Sequence, residues 1–395
     1  MKKWFIIIAV FCVHSASYAQ KGRVTTAVSF FTQGKLDKAK EAIDAAMKEK
    51  DVDWTKAFLV KGQIYQAIYE STQYQKLSND ALDIAWEAYQ EVVRRDTKKK
   101  FAKELSTQYQ NLGIDFSSQG VAHFQAGQYE KAFDDFRRVL LMDASPYGAQ
   151  KLDTVIVYNA AISAQKAGKL SEALSYYKKA LELDYEPVRT YAMVAKLLME
   201  ESRNSEKEAI ARSKEKEAIE YLLQANRRFP QDMYILVELV NGYMTSGQPA
   251  MAEKYLNDAI ELNPHHAEFY RVKGTIYEKM TRPDDAEKMY QLAIGLDPED
   301  FVSYYNLGNI YLSRVIKKHE ALLALNNMKE YSAKMAEILS QYEDVIPYFE
   351  KALQFNPKDR NTLSTLSQLY FRLKNKVNSD YMQKYEKIQQ AILDN

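Results

Sequence analysis

The sequence predicts an all-α solenoid, in which antiparallel helix pairs stack on one another and some pairs are lengthened into helical hairpins. Small residues recur at fixed helical spacings along most of the chain. Glycine and proline are scarce, at 13 and 9 of 395 residues. Turn-rich β folds need more of both residue types, whereas repeated helix pairs need only short turns.

The repeat is defined by three small residues, one in a first helix and two in a second helix. They are separated by 12 and then 7 residues, as in Gly274, Ala286 and Ala293. We call the first of the three the marker residue. The spacing recurs in five segments, whose marker residues are Ala27, Gly120, Ala161, Val240 and Gly274. Small residues let two helices approach closely, and neighbouring pairs must stack because no pair buries its apolar face alone.

Some units are longer than this spacing allows, yet they keep a helical pattern. The first and third small residues of a regular unit are 19 residues apart. In three longer units, with marker residues Gly62, Ala195 and Gly308, the distances are 30 to Val92, 30 to Ala225 and 44 to Ala352. The extra residues predict longer helices rather than loops. The longest case predicts a protruding helical hairpin around residues 312–345. Its apolar side chains either join the two limbs or form an exposed docking patch.

Two stretches of the chain resemble the tetratricopeptide repeat closely. They are "GVAHFQAGQYEKAFDDFRRVLLMDA" (residues 120–144) and "GTIYEKMTRPDDAEKMYQLAIGLDP" (residues 274–298). The resemblance extends over nearly all of residues 20–395. It implies a single right-handed superhelical solenoid of about nine repeats, with a C-terminal capping helix at 381–393. This motif is specific for a fold and unspecific for a function.

The C-terminal repeat region also resembles a narrower group. The stretch "PYFEKALQFNPKDRNTLSTLSQLYFRLKN" (residues 347–375) is similar to the cell-envelope repeat proteins of Bacteroidota-type bacteria. Proteins of that kind are often tied to secretion, envelope assembly or outer-membrane machinery. The resemblance therefore implies envelope or secretion components as partners.

Residues 1–19 are predicted to be a cleaved signal peptide. Lys2 and Lys3 precede ten apolar residues, and small residues then lead to a cleavage site near Ala19/Gln20. Ten apolar residues are too few to cross a bilayer, which needs ~20. The other interpretation is a buried first helix. The mature chain is thus expected in the periplasm, in association with the outer membrane or free of it, with no transmembrane segment.

The sequence indicates a protein without catalytic residues, cofactor or metal. Cys12 is the only cysteine and leaves with the signal peptide, which excludes thiol catalysis and thiolate metal sites. The five histidines have no carboxylate or second histidine at a metal-ligand spacing. Neighbouring carboxylates such as Asp134 and Asp135 are predicted to lie at helix starts, where the helix dipole favours acids, or on helix faces that are turned to water. Lys plus Arg number 54 against 53 Asp plus Glu, so no overall charge favours nucleic acid.

Partner recognition is the remaining function class. In tetratricopeptide arrays the first helices line a concave groove. The resemblance assigns to this groove residues one and four after each marker residue, and tyrosines three before it. The candidate binding residues are Phe124, Tyr158, Ile162, Met199, Asn241, Met244, Tyr305, Asn309 and Leu312. A mixture of apolar and amide side chains suits an extended peptide or a partner helix.

These observations favour a non-enzymatic scaffold of the bacterial periplasm or cell envelope. It would bind partner proteins or peptides through the concave groove, the extended hairpin, or both. The alternative is a periplasmic binding module for a cell-wall glycan or peptide ligand. Exposed aromatic side chains in the groove would favour that alternative, and the candidates are Phe124, Tyr158, Tyr305 and Phe371. The hairpin also allows a homo-oligomer, because paired limbs can exchange between chains.

Overall fold

The computed structural model describes residues 21–48, 54–323, 328–376 and 379–393. Most of these residues are α-helical, and no β-strand occurs among them. The predicted all-α fold of stacked helix pairs is therefore confirmed. The predicted signal peptide, residues 1–19, lies outside the described residues.

The helices form two compact units, and the boundary between them lies between Thr190 and Tyr191. The first unit contains α1 (21–32), α2 (Leu36–Met47), α3 (Thr55–Glu70), a short 3-10 helix (Gln75–Leu77), α4 (Ala81–Arg95), α5 (Ala102–Gln125), α6 (Tyr129–Asp143), α7 (Thr154–Lys166) and α8 (Leu170–Glu182). Helix α9 (Pro187–Arg203) spans the boundary. The second unit continues with α10 (Glu208–Arg228), α11 (Met233–Thr245), α12 (Pro249–Leu262), α13 (Ala267–Lys279), α14 (Pro283–Leu296), α15 (Phe301–Leu323), α16 (Met328–Phe355), α17 (Arg360–Leu373) and α18 (Tyr381–Leu393).

Helices that are consecutive in sequence pack on each other within each unit. In the first unit α3 pairs with α4, α5 with α6 and α7 with α8, and α6 packs on α7. In the second unit the pairs are α11 with α12, α13 with α14, α15 with α16 and α17 with α18. Each of these units is thus an array held by nearest-neighbour contacts. The repeat number, the single array over residues 20–395 and the capping role of α18 stay predictions.

In the four described pairs whose marker residue is glycine, an aromatic side chain of the second helix lies against that glycine. A Cβ atom at Gly274 would lie 2.6 Å from Cε1 of Tyr290, and one at Gly308 would lie 3.0 Å from Cζ of Phe349. The two partners are 16 residues apart in the first case and 41 in the second. The 25 additional residues therefore lengthen α15 and α16 and leave this contact unchanged.

One left-handed residue forms the turn inside each of several pairs. It lies seven residues after the marker residue, and it is Gly34, Gly127, Gly168 or Gly247, with φ between +69° and +76°. Glycine adopts this conformation without a steric cost. In the pair α13–α14 the same position is Thr281, with φ +56°. A β-branched residue is strained there.

The limbs of the α15–α16 hairpin are joined by an apolar seam. Val315 and Leu322 of α15 are buried, as are Ile338 and Tyr342 of α16. They belong to one core cluster that continues into α17 and α18. Residues 324–327, between the two helices, lie outside the described residues. The packing of the described side chains favours the interpretation of these apolar residues as a seam between the limbs.

Candidate functional site

The first unit presents a groove between the first helices α5 and α7. On α5, the exposed residues Ile114, Ser118, Val121 and Gln125 recur at intervals of three or four, so they form one stripe along the helix. On α7, Val155 is exposed, and Asn159 and Ile162 are half-buried at the same spacing. We call the surface between these two stripes the α5–α7 groove. Helix α6 lies behind it.

One end of the α5–α7 groove is an apolar cleft of ≈ 370 Å³. It is lined by Val121, Phe124, Gln125, Phe136, Asn159 and Ile162. The Phe124 ring meets the Tyr129 ring edge to face, with centroids 5.2 Å apart, so a neighbouring aromatic side chain holds its orientation. Two amide side chains at the rim offer donors and acceptors beside the apolar surface.

The other end of the groove is a wider cleft of ≈ 830 Å³. It is lined by Tyr109, Gln110, Gly113, Ile114, Ser117, Ser118, Val139, Asp143, Ala149, Lys151, Leu152, Asp153, Thr154, Val155 and Ile156. Ile114 is 67% exposed and Val155 is 45% exposed, which is high for large apolar side chains. From Gln110 to Gln125 the two clefts follow α5 for ~22 Å, at 1.5 Å per residue.

The structure brings two of the nine predicted residues together in this groove. Phe124 and Ile162 line the same cleft. Tyr158 is buried, with its ring against the rings of Tyr177 and Tyr185. The other six predicted residues belong to the second unit.

In the second unit these six side chains differ in exposure. Met199 is buried, and its methyl group lies near Gly242 of α11. Asn241 is exposed. The half-buried members are Met244, Tyr305, Asn309 and Leu312. A binding role for the nine residues stays a prediction.

Sequence reasoning missed much of the groove's lining. Ile114, Gln125, Val155 and Asn159 do not occupy the positions one or four after a marker residue. The available signal was a run of apolar or amide residues at spacings of three, four and seven on each first helix. That signal does not separate an exposed stripe from a buried one until the packing partners are known.

A polar contact distinguishes the pairs whose second helix carries tyrosine. The residue four after the marker residue then bonds to the tyrosine hydroxyl: Tyr177 donates to Oε1 of Gln165 at 2.9 Å, and Tyr290 donates to a carboxylate oxygen of Glu278. Burial raises the pKa of both tyrosines, so both hydroxyls stay protonated. These polar residues are therefore engaged by the second helix.

Pairs whose second helix carries phenylalanine have an apolar residue at the same position. Phe136 lies against Gly120, and the residue four after Gly120 is Phe124. Phe349 lies against Gly308, and the residue four after Gly308 is Leu312. A phenylalanine ring offers no donor, so no polar partner is required there.

Asp135 corrects one prediction. It is buried rather than facing water, at 2% exposure. Gln119 Nε2 donates to its Oδ1 at 3.1 Å, and Nδ1 of His123 lies 2.7 Å from its Oδ2. Burial raises the pKa of Asp135, while His123 and Gln119 act in the opposite direction. The acid is thus part of the contact between α5 and α6.

The described parts of the chain contain no group of three or more His, Cys, Asp or Glu side chains that could hold a metal ion. None of the described helices combines the length and the apolar character needed to cross a membrane.

Models of the tetratricopeptide repeat family match residues 156–187 and 237–301. Three curated proteins are similar to parts of the chain. Over 91 residues it is 26% identical to protein O-mannosyl-transferase F38B6.6 of Caenorhabditis elegans, which is 23% of this chain and 13% of that protein. Over 117 residues it is 29% identical to human tetratricopeptide repeat protein 6; the aligned segment covers 30% of this chain and 18% of that protein. Over 314 residues it is 24% identical to BBSome complex member BBS4 of Bos taurus; the aligned segment covers 77% of this chain and 52% of that protein. The chain thus spans between about an eighth and about half of these relatives.

Solved structures of similar proteins include a thermophilic TPR protein of Thermus thermophilus, TTC0263. It is 21% identical, covers 51% of this chain and 99% of its own, and gives a TM-score of 0.35. A MamA fragment (41-end) from Desulfovibrio magneticus is 14% identical. The match covers 48% of this chain and 96% of the fragment, with a TM-score of 0.38.

Repeats of this type generally form non-enzymatic scaffolds for protein–protein interaction. One matched stretch, 156–187, lies in the first unit and covers α7 and α8, and the other, 237–301, lies in the second unit from α11 to the start of α15. Both stretches consist of the helix pairs described above. These two stretches of the chain are therefore tetratricopeptide repeats.

Proposed function

We propose that this protein is a non-enzymatic scaffold of the bacterial cell envelope that binds an extended segment of a partner protein in the α5–α7 groove. The observation that carries the proposal is the groove itself. It combines exposed apolar side chains on two neighbouring first helices with the two clefts between them.

The shape of the groove supports a peptide rather than a small metabolite. Its ~22 Å along α5 would hold about seven residues of extended chain at 3.3 Å each. Alternate side chains of such a segment could enter the two clefts. Gln110 and Gln125, both exposed on α5, can bond to the peptide backbone. A ligand of this kind uses both the apolar and the amide groups.

The location in the envelope rests on the predicted signal peptide at residues 1–19. N-terminal sequencing of the protein from osmotic-shock and membrane fractions tests it. We expect a mature N-terminus at Gln20 in a fraction outside the cytoplasm. A chain that keeps Met1 in the cytoplasmic fraction would contradict the location without bearing on the groove.

Site-specific photocrosslinking in the native cell tests the groove. A benzophenone amino acid replaces Val121 in the groove, Ile316 on the hairpin, or Leu141 on α6. Val121 is 44% exposed, Ile316 39% and Leu141 52%, so the three probes are similarly accessible. We expect a discrete protein adduct from Val121 and none from Leu141. An adduct from Ile316 alone would place the docking surface on the hairpin instead.

Substitution gives the matched control. The double variant Val121→Asp, Ile162→Asp places two charges in the 370 Å³ cleft. The control, Leu141→Asp with Leu292→Asp, places two charges at exposed positions of second helices. We expect only the first pair to abolish the adduct, with both proteins still folded by circular dichroism. An adduct that muramidase releases and protease does not would favour the glycan alternative.

A further inference from the structure

A carboxyl pair flanks the α5–α7 groove on the side of α3. Glu70 is the last residue of α3, and Asp115 lies on α5, next to the exposed Ile114. The two carboxyl groups lie close enough to interact directly, and this contact acts to raise the pKa of Glu70 and to lower that of Asp115. Two acids this close bind a proton between them when no cation is present to neutralise them.

A buried amide holds the pair in place. Gln66 is 3% exposed, and its Nε2 donates to Oδ2 of Asp115 at 3.0 Å. The hydroxyl of Tyr89 donates to Oε1 of Gln66 at 3.0 Å, which fixes the orientation of the amide. Tyr89 in turn lies against the marker residue Gly62. The position of Asp115 is therefore set by the core of the α3–α4 pair.

The pair has no cationic partner among the described residues, in contrast to other acids of this unit. Asp44 pairs with Lys40, for example, and Asp83 pairs with Arg138. Partial desolvation raises the pKa of Asp115, and desolvation together with the charge of Asp115 raises that of Glu70. A bound ammonium or guanidinium group would supply the missing positive charge.

The pair and the clefts lie on opposite flanks of one exposed stripe. Asp115 is half-buried and lies three residues before the exposed Ser118, and the exposed Ile114 lies four before it, so the three are neighbours on one side of α5. Gln66 of α3 bonds to Asp115 on one flank, and Val155 of α7 lines the cleft with Ile114 on the other. A peptide that crosses this stripe from the side of α3 meets the carboxyl pair first and the apolar cleft next.

From this arrangement we infer that the groove selects peptides in which a Lys or Arg side chain meets Glu70 and Asp115 while a nearby apolar side chain enters the adjoining cleft. The inference rests on the proposed function of the groove as a peptide site and specifies the peptide's chemistry.

A random octapeptide library displayed on phage tests separately whether the groove binds peptides and whether it selects a cationic side chain. It is panned on the wild-type chain, on Val121→Asp with Ile162→Asp, and on Glu70→Gln with Asp115→Asn. The charge control is Glu130→Gln with Asp134→Asn, which removes two acids from α6. Circular dichroism confirms the fold of each variant before panning. Fluorescence anisotropy then measures the affinity of the strongest peptide and of its Lys→Gln or Arg→Gln analogue.

We expect the wild type and the charge control to enrich peptides with a cation near an apolar residue. On the wild type, the neutral analogue should bind about five-fold more weakly than the cationic peptide, as for a partly exposed ion pair. On the Glu70→Gln, Asp115→Asn variant, the two peptides should bind equally well. Enriched peptides without a cation, or a cation preference that survives in that variant, would overturn the inference while leaving the groove as a peptide site. No enrichment on the wild type would overturn both.

Discussion

Alanine in place of Gly274 is expected to destabilise the second unit, although alanine favours helices over glycine. The new Cβ would lie 2.6 Å from Cε1 and 2.8 Å from Cδ1 of Tyr290. The ring cannot move away easily, because it is fully buried and its hydroxyl is held by Glu278, Thr275 and Asn306. The substitution therefore forces either the ring or helix α13 to shift.

The size of the effect follows from a matched substitution. Overpacking costs ~1–3 kcal/mol, and the helix preference of alanine returns ~1 kcal/mol. At Gly242, on α11, the added Cβ would meet nothing closer than 3.5 Å, the distance to methyl groups of Leu222 and Met199. Gly242→Ala gains the same helix preference without the clash. Gly274→Ala should therefore be less stable than Gly242→Ala by ~1–3 kcal/mol.

Hydrogen exchange in moderate urea is the suitable assay, because an array of repeats can open in parts. Gly274→Ala should accelerate exchange in α13 and α14, whereas Gly242→Ala should leave exchange in α11 and α12 unchanged or slower. Adding Tyr290→Leu to Gly274→Ala should restore part of the protection from exchange that Gly274→Ala removes. Equal exchange in the two single variants would refute the argument that ring contact sets the size of the marker residue.

Three other perturbations have defined outcomes. Thr281→Gly should raise the melting temperature, with a gain of ~0.5–1 kcal/mol, because it relieves a β-branched residue at φ +56°. Tyr177→Phe should lower the urea midpoint by an amount equivalent to ~0.5–1.5 kcal/mol, since Gln165 loses its 2.9 Å donor. His319 should make the urea midpoint depend on pH. Burial and the charge of Arg372 lower its pKa below the ordinary 6.5, so protonation favours the unfolded chain. Its contribution to stability is full above about pH 6.5 and is lost as the pH falls through the lowered pKa.

Each of the three has a control. Gly247→Thr recreates the strained turn in the preceding pair and should lower the melting temperature. Tyr176→Phe, one residue before Tyr177, tests the removal of a hydroxyl from a ring that packs on Phe133. His319→Gln should give a flatter profile of the urea midpoint between pH 8 and pH 5. An unchanged profile would show that His319 does not carry the pH dependence.

Local spacing was sufficient to predict the helix pairs. The marker residue, the second-helix residues and the turn lie within about thirty residues, and helical geometry fixes which of them face each other. The lengthened helices were predictable for the same reason. The extra residues between Gly308 and Phe349 keep helical periodicity, and the structure places those that it describes in α15 and α16.

Polar contacts between side chains of different helices were not predictable in this way. Asp135 is buried because His123 and Gln119 of the neighbouring helix satisfy it, and an acid on a helix face gives no sign of that. Glu70 and Asp115 are 45 residues apart and meet only because α3 and α5 are both first helices of stacked pairs. A spacing rule for the small residues of the repeat does not contain these polar contacts.

In four described pairs, the aromatic ring of the second helix matches the polarity of the first-helix residue four after the marker residue. A tyrosine sixteen residues after the marker residue requires an acceptor, and Gln165 and Glu278 supply it from the first helix. A phenylalanine at that position requires none, so the first helix can present an apolar side chain, as Phe124 does in the 370 Å³ cleft. Replacing Phe136 by tyrosine would put a hydroxyl beneath this cleft, where Phe124 stands at the position of the acceptors Gln165 and Glu278 and cannot accept from it. A phenylalanine on the second helix therefore allows an apolar side chain at this position of the first helix, and the apolar cleft forms there.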